Sequence, residues 1–166
     1  MTPGFELCDI PNFKFCLADG ATKEYLPKQG EDMATGYDVR AFIPHALVLN
    51  AGDKAIIPLG LRCFSPQGWW LALESRSSTF AKFDLLSLDG IIDTAYEGSI
   101  GFVCRYFPTP GGSPTMTIAP GQRLGQLVPF RRQEMLVENI SQEEFDFLCL
   151  TRGGTRGAGG MGSTGK

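Results

Sequence analysis

The sixteen residues TRGGTRGAGGMGSTGK, 151–166, hold seven glycines, the cationic Arg152, Arg156 and Lys166, and no acidic side chain. With almost nothing to bury, their chemistry lies in the backbone: glycine-rich chain presents unobstructed N–H donors, and Arg and Ser/Thr add charge-assisted and hydroxyl bonds to an anion. Two phosphate motifs are spelled here and both fail. Gly157, Gly159 and Gly162 give GxGxxG, and Gly160 to Lys166 opens a P-loop, but each needs a helix after it and none can follow. Ordering Arg156 to Gly165 costs about 10 to 20 kcal/mol of backbone entropy, glycine being the worst case. One charge-assisted hydrogen bond contributes only about 1.5 to 3 kcal/mol. A single anion contact therefore cannot order this tail, whereas a triphosphate with many oxygens can. The expectation is a tail that is loose when empty and closed over a bound polyphosphate.

Elsewhere the reactive residue types are sparse. His45, the one histidine, lies at a Pro-bounded strand start and is a poor member of a Ser-His-Asp triad. Cys8, Cys16, Cys63, Cys104 and Cys149 are odd in number and form neither a CxxC pair nor a zinc spacing with His, so buried free thiols are expected. The formal net charge of -3 and the pI near 5.2 speak against a stable nucleic-acid partner. The N-terminus lacks a basic start followed by an apolar run, and no stretch has the roughly 20 apolar residues of a membrane span. No membrane association and a reducing, cytoplasmic location are expected.

The elements that must position any site are short strands. HALVL (45–49), KAIIPLGLRC (54–63), WWLALES (69–75), SIGFVCRYF (99–107), TMTI (115–118) and RLGQLVPF (123–130) are β-branched or aromatic runs bounded by Pro, Gly, Asn or Asp. Ile100, Phe102, Cys104 and Tyr106 alternate onto one face. Ser65-Pro66-Gln67-Gly68 and Ala119-Pro120-Gly121 read as turns, and PTPGGSP (108–114) as an exposed hairpin loop. Helices are predicted only at SSTFAKFDLL (77–86) and SQEEFDFLC (141–149), the latter opening on a capping-box spacing of Ser141 and Glu144. With 166 residues the chain is long enough for one core. The predicted fold is all-β, a distorted jelly-roll or β-barrel-like single domain over 1–150 with one or two short helices. Residues 1–30 form an N-terminal extension whose role the sequence leaves open beyond an edge strand, and 151–166 a mobile Gly-rich tail.

Four internal stretches, ATGYDVRA (34–41), SRSST (75–79), LDGIIDTAYEGSIG (88–101) and GQRLGQLV (121–128), precede RGAGGMGSTG in that order. Together they resemble the five motifs of the trimeric deoxyuridine triphosphate nucleotidohydrolases, the dUTPases, from about residue 34 to the end. The resemblance implies hydrolysis of dUTP to dUMP and pyrophosphate, which keeps uracil out of DNA and supplies dUMP for thymidylate synthesis. It also implies a homotrimer whose sites are shared between subunits, and Mg2+ carried on the triphosphate oxygens and waters with no direct protein ligand.

Residue by residue, the resemblance makes Asp93 the carboxylate that orients and deprotonates the attacking water. Taken alone, an Asp in that context reads as a turn former. Tyr96 matches the aromatic under the deoxyribose, and the backbone at 87 to 92, with Gly90 and Ile92, the hairpin that reads the uracil edge. Arg76, Ser77 and Ser78 match the phosphate-binding arginine-serine motif, Gln126 the glutamine on phosphate, and Asp38 a supporting aspartate near magnesium's water shell. In the tail, Arg156 pairs with the γ-phosphate while Gly162, Ser163 and Thr164 wrap the β- and γ-groups. Met161 stands where an aromatic usually covers the uracil. Glu97, Ser78 and Gln122 also depart from the common pattern, where Arg, Gly and Asp are usual. A related dCTP deaminase would need a glutamate at Val103 and an arginine at Ala81. A non-catalytic dUTP-binding regulatory or interaction protein of the same fold is the remaining alternative, and the presence of both Asp93 and the tail speaks against it.

Overall fold

The computed structural model describes residues 10–152. Residues up to Gln133 form one compact unit and residues from Glu134 a second. The first is built of β1 (Lys14–Leu17), a 3-10 turn at Lys23–Tyr25, β2 (Lys28–Gln29), β3 (Tyr37–Arg40), β4 (Leu47–Asn50), β5 (Lys54–Phe64), β6 (Trp69–Ser75), α1 (Ser77–Phe83), β7 (Leu85–Ser87), β8 (Gly90–Ile92), β9 (Ser99–Tyr106), β10 (Thr115–Ile118) and β11 (Arg123–Arg131). They make a four-stranded sheet in the order β1-β5-β9-β7, a five-stranded sheet β2-β3-β11-β6-β8, and the pair β10-β4. The paired strands all run antiparallel. The sheets stay open instead of closing into a barrel, and the mostly-β, jelly-roll architecture agrees with the sequence prediction. No helix among the described residues is long and apolar enough to cross a membrane.

Alternation builds the core. In β5, Ile57, Leu59, Leu61 and Cys63 are buried, and in β9 the four residues Ile100, Phe102, Cys104 and Tyr106 are buried as their spacing predicts. Val39, Leu85, Ile118, Leu124 and Leu127 complete the inner layer, each such side chain contributing about 1.5 to 3 kcal/mol relative to exposure. Pro58, which a regular central strand excludes, sits where the β5–β9 register shifts between Pro58 and Leu61. Gly60 at that shift has φ +68, and a Cβ there would lie 2.7 Å from the Phe42 ring.

Four expectations change. The hairpin expected over 87–92 does not form, because Ser87 ends β7 on β9 in one sheet and Gly90 opens β8 on β6 in the other. The predicted helix at 77–86 ends at Phe83, because Asp84 turns left-handed with φ 49 and the next three residues join β9 as β7. PTPGGSP is not a hairpin loop. It crosses between sheets, since β9 pairs with β5 and β7 whereas β10 pairs with β4, and Tyr106 Oη donates to Ser113 O at 2.7 Å to hold it. Cys63 and Cys104 are buried free thiols, and burial pushes the Cys104 thiol up to about 11, but Cys16 and Cys149 are exposed. Cys16 faces outward because its neighbours Phe15 and Leu17 take the inner positions of β1. Cys8 lies outside the described residues.

In the second unit, residues 134–141 form neither strand nor helix, and α2 (Gln142–Arg152) follows. Ser141 Oγ accepts the Glu144 N–H at 3.1 Å, the predicted cap, and Gln142 Nε2 donates to Asp146 Oδ1 at 2.9 Å one turn on. None of its residues is buried.

Candidate functional site

One face of the five-stranded sheet carries a polar row. Lys28 of β2 lies opposite Asp38 of β3, Asp38 opposite Gln126 of β11, and Gln126 opposite Glu74 of β6. Directly opposed side chains share a face, so a cation, a carboxylate, an amide and a second carboxylate stand in line. The pairing of Leu73 with Gly90 brings Asp89 next in the row. Burial, reinforced by the charge of Asp89 and a hydrogen bond with it, holds the Glu74 carboxyl above the usual range.

Asp38 is the hub. Arg76 Nε donates to its Oδ1 at 2.8 Å and Arg123 Nη1 to its Oδ2 at 3.1 Å, so both carboxylate oxygens are engaged by guanidinium groups. Asp38 is 14% exposed and Arg76 26%, shielding enough to strengthen the pair relative to a surface ion pair. Arg76 is also the N-cap of α1 and donates from Nη1 to Ser78 Oγ at 3.3 Å, while Ser77 is exposed at the first helical position. The base of that helix is fixed by Thr79, fully buried, whose Oγ1 donates to the Leu124 carbonyl at 2.5 Å. Gln126 Nε2 reaches Ser75 O at 3.5 Å, and a Cβ at Gly36 would overlap the Gln126 carboxamide. Glycine at 36 is thus what gives that amide its place.

The Asp93 region is built differently. Buried Ile92 ends β8, and Asp93 follows exposed at the start of a turn closed by Tyr96 N–H to Asp93 O at 3.0 Å. Thr94 Oγ1 ties the turn to Trp69 O at 2.7 Å. Tyr96 is 44% exposed, with its hydroxyl donating to Ser99 O at 3.0 Å, so it is no core tyrosine. A Cβ at Gly98 would fall 2.5 Å from that hydroxyl. Gly90 packs closely on β6, a Cβ there meeting Leu73 Cβ at 3.2 Å. Ile92 opposes Leu71, which sets Asp93 level with Trp70. Arg76 lies at the far end of β6, roughly 20 Å away at about 3.3 Å per residue.

Within one chain, Asp38, Arg76, Ser78 and Gln126 therefore come together, and Asp93 with Tyr96 does not join them. Arg156, Met161, Gly162, Ser163 and Thr164 lie outside the described residues. Arg123 and Lys28 escaped the sequence reading: the first is spelled in GQRLG but has no role until Asp38 is seen beside it, and the second has no local signal at all. Arg40 also belongs here, its Nη1 donating to Gly121 O at 2.9 Å. A cleft of about 210 Å3 lies on this side, lined by Glu24, Lys28, Asp38, Arg40 and Arg123 among others. A larger cavity of about 500 Å3, lined by Phe13, Phe15, Leu26, Tyr37, Leu127 and Pro129, is apolar and contains none of the site residues.

Residues 22–165 match the dUTPase family model. The deoxyuridine 5'-triphosphate nucleotidohydrolase of Chlamydia trachomatis serovar L2 is 31% identical over 154 residues, covering 92% of this chain and 97% of the relative. Among solved structures, the Staphylococcus bacteriophage 80alpha dUTPase with dUPNHPP superposes with a TM-score of 0.74 at 21% identity, covering 93% of this chain and 99% of that one. A mutant dUTPase of phage phi11 of S. aureus, solved for its coordination of a structural Mg(II) ion, gives a TM-score of 0.66 at 21% identity over 79% of this chain and 97% of its own.

Proposed function

The chain belongs to the dUTPase family, the dUTP diphosphatases, and on that premise we propose that it cleaves dUTP to dUMP and pyrophosphate with Asp93 as general base. The observation that carries this reading is the convergence on Asp38 of Arg76 and Arg123, from stretches 38 and 85 residues away in sequence. With Gln126 and Ser78 alongside, they make a cradle of donors suited to phosphate oxygens. Catalysis is positioning and charge neutralisation at a phosphoryl centre. Asp93 takes the proton of the water that attacks the α-phosphorus, the bond from that phosphorus to the bridging oxygen breaks, and pyrophosphate leaves on the arginine side.

Tyr96 packs under the deoxyribose, and the backbone around Gly90 and Ile92 reads the uracil edge. Arg156, Met161, Gly162, Ser163 and Thr164 close over the nucleotide and exclude bulk water. Because Asp93 and Arg76 sit at opposite ends of β6, one chain does not supply a whole site. A homotrimer with sites shared between subunits answers that separation, and a cytoplasmic location completes the reading.

The donor set fits magnesium as an ion that arrives on the triphosphate. Both Asp38 oxygens are engaged by arginines, leaving that carboxylate to face the ion's water shell without ligating it. When bound, magnesium supplies charge neutralisation on the phosphate oxygens. The product dUMP would serve thymidylate synthesis, and its formation would keep uracil out of DNA.

The test is pyrophosphate release from dUTP, dCTP, dTTP and UTP with magnesium, by the wild type and Asp93→Asn. Turnover of dUTP alone, lost in the variant, is the expected result. Binding of dUTP without turnover would turn the reading to a non-catalytic member of the fold.

A further inference from the structure

The polar row does not stop at the residues that the family motifs supply. Its β2 end is Lys28, opposite Asp38 in register and lining the same cleft as Asp38, Arg40 and Arg123. The charges there do not balance. Asp38 already serves Arg76 and Arg123, one on each oxygen. Arg40 gives a hydrogen bond to the neutral Gly121 carbonyl, so its charge stays uncompensated. Among the described residues Lys28 enters no ion pair. Three cations, Lys28, Arg40 and Arg123, therefore line the cleft with two carboxylates, Asp38 and the exposed Glu24 at the rim. In a chain of net charge -3, such a local excess of cations is the footprint of an anion.

The size is informative too. The cleft, about 210 Å3, is smaller than the about 300 to 1,000 Å3 of sites that enclose a drug-sized ligand, and its polar lining suits a small multivalent anion. It is continuous with the phosphate cradle through one residue: Asp38 holds Arg76 on one oxygen and the cleft's Arg123 on the other.

We propose that this cleft is an extension of the phosphate site, in which Lys28 binds the terminal diphosphate of the substrate and the pyrophosphate that leaves. The inference rests on the dUTP reading for its ligand, and it gives β2 a task beyond closing a sheet edge. Lys28 is a binding residue here and takes no proton. Its ammonium is a point charge on a flexible stem, which suits an anion that must also depart.

Titration of inorganic pyrophosphate with magnesium into the intact protein by calorimetry tests this directly, comparing wild type, Lys28→Gln, Lys28→Glu and the control Lys23→Gln. Lys23 lies in the same segment, outside the cleft, and reports any unspecific effect of removing a charge. Lys28→Gln should weaken pyrophosphate about tenfold, the size of one charge-assisted bond, and Lys28→Glu more. Affinity for dUMP, which lacks the diphosphate, should not move. Steady-state kinetics should show KM for dUTP rising by a similar factor at constant kcat, the signature of lost uniform binding. Pyrophosphate affinity within twofold of wild type in both Lys28 variants overturns the proposal, as does an equal loss in Lys23→Gln. A wild type that hydrolyses dUTP while binding pyrophosphate independently of Lys28 sinks the subsite alone. One that binds pyrophosphate through Lys28 without hydrolysing dUTP keeps the subsite and sinks the reading it rests on.

Discussion

At the Ser75 end of β6 the polar groups hold one another: Arg76 and Arg123 grip the two oxygens of Asp38, Ser78 accepts from Arg76, and Thr79 anchors the helix beneath them. At the Trp69 end the hydrogen bonds run through backbone carbonyls and the side chains of Thr94 and Tyr96, and Asp93 is left exposed. On the proposed reading, the difference follows from what each end has to do. Cations that receive phosphate need fixed positions before the ligand arrives, and a carboxylate between them supplies that order. A general base needs the opposite, a carboxylate whose lone pairs are open to water and whose place is set by the chain around it.

The sharpest way to break this comparison is Asp93→Asn. Pyrophosphate release from dUTP should fall by about 10² to 10⁴, while the thermal midpoint stays put because the side chain is exposed. Asp38→Asn attacks the other end and should do both kinds of damage. It leaves two guanidinium groups without their shared partner, and urea denaturation should show a loss of about 1 to 2 kcal/mol, modest because Arg123 is 46% exposed. Turnover should drop as well, by an increase in KM.

A subtler probe is Gly98→Ala, whose Cβ displaces the Tyr96 ring. It should raise KM for dUTP about tenfold, within the range that misplacing a positioning group produces, without changing unfolding.

The smallest effect belongs to Glu74→Gln. The Glu74 carboxyl is held above its ordinary pKa, so its neutral form is favoured by folding. Its contribution is complete below the unfolded pKa and is lost as pH rises through the raised folded value. Thermal melts at pH 4 and pH 7 should show Glu74→Gln slightly stabilised at pH 7 and unchanged at pH 4. Equal shifts at both would mean that neither burial nor Asp89 raises the Glu74 carboxyl.

Much of the fold was legible because its signals are local. WWLALES and TMTI became strands over those same residues, and Ser65-Pro66-Gln67-Gly68 and Ala119-Pro120-Gly121 turn with Gly68 at φ 79 and Gly121 at φ 74. The errors lie where tertiary structure overrode a local pattern. SSTFAKFDLL has no Gly or Pro to stop a helix, yet Leu85 is fully buried as a β7 residue, and placing it there forces Asp84 left-handed. PTPGGSP looks like any hairpin loop from its own residues, and only strand pairing shows which sheet each flank joins. For the site, the motifs supplied residue identities, but no spacing could reveal that Arg123 faces Asp38 or that Lys28 ends their row. Cross-strand neighbours are far apart in sequence, and register is set by the whole sheet.

Asp84 has one further consequence. Because the chain turns in a single left-handed residue, α1 is a rigid spacer of about 10 Å, seven residues at about 1.5 Å each. On one side of it stands Arg76, on the other β7, from which the chain crosses to β8 in the other sheet. The two segments that flank α1 are thereby kept at a fixed interval, like the jaws of a caliper whose beam is a helix, and adding or removing one turn of that helix would change what length of molecule the jaws can span.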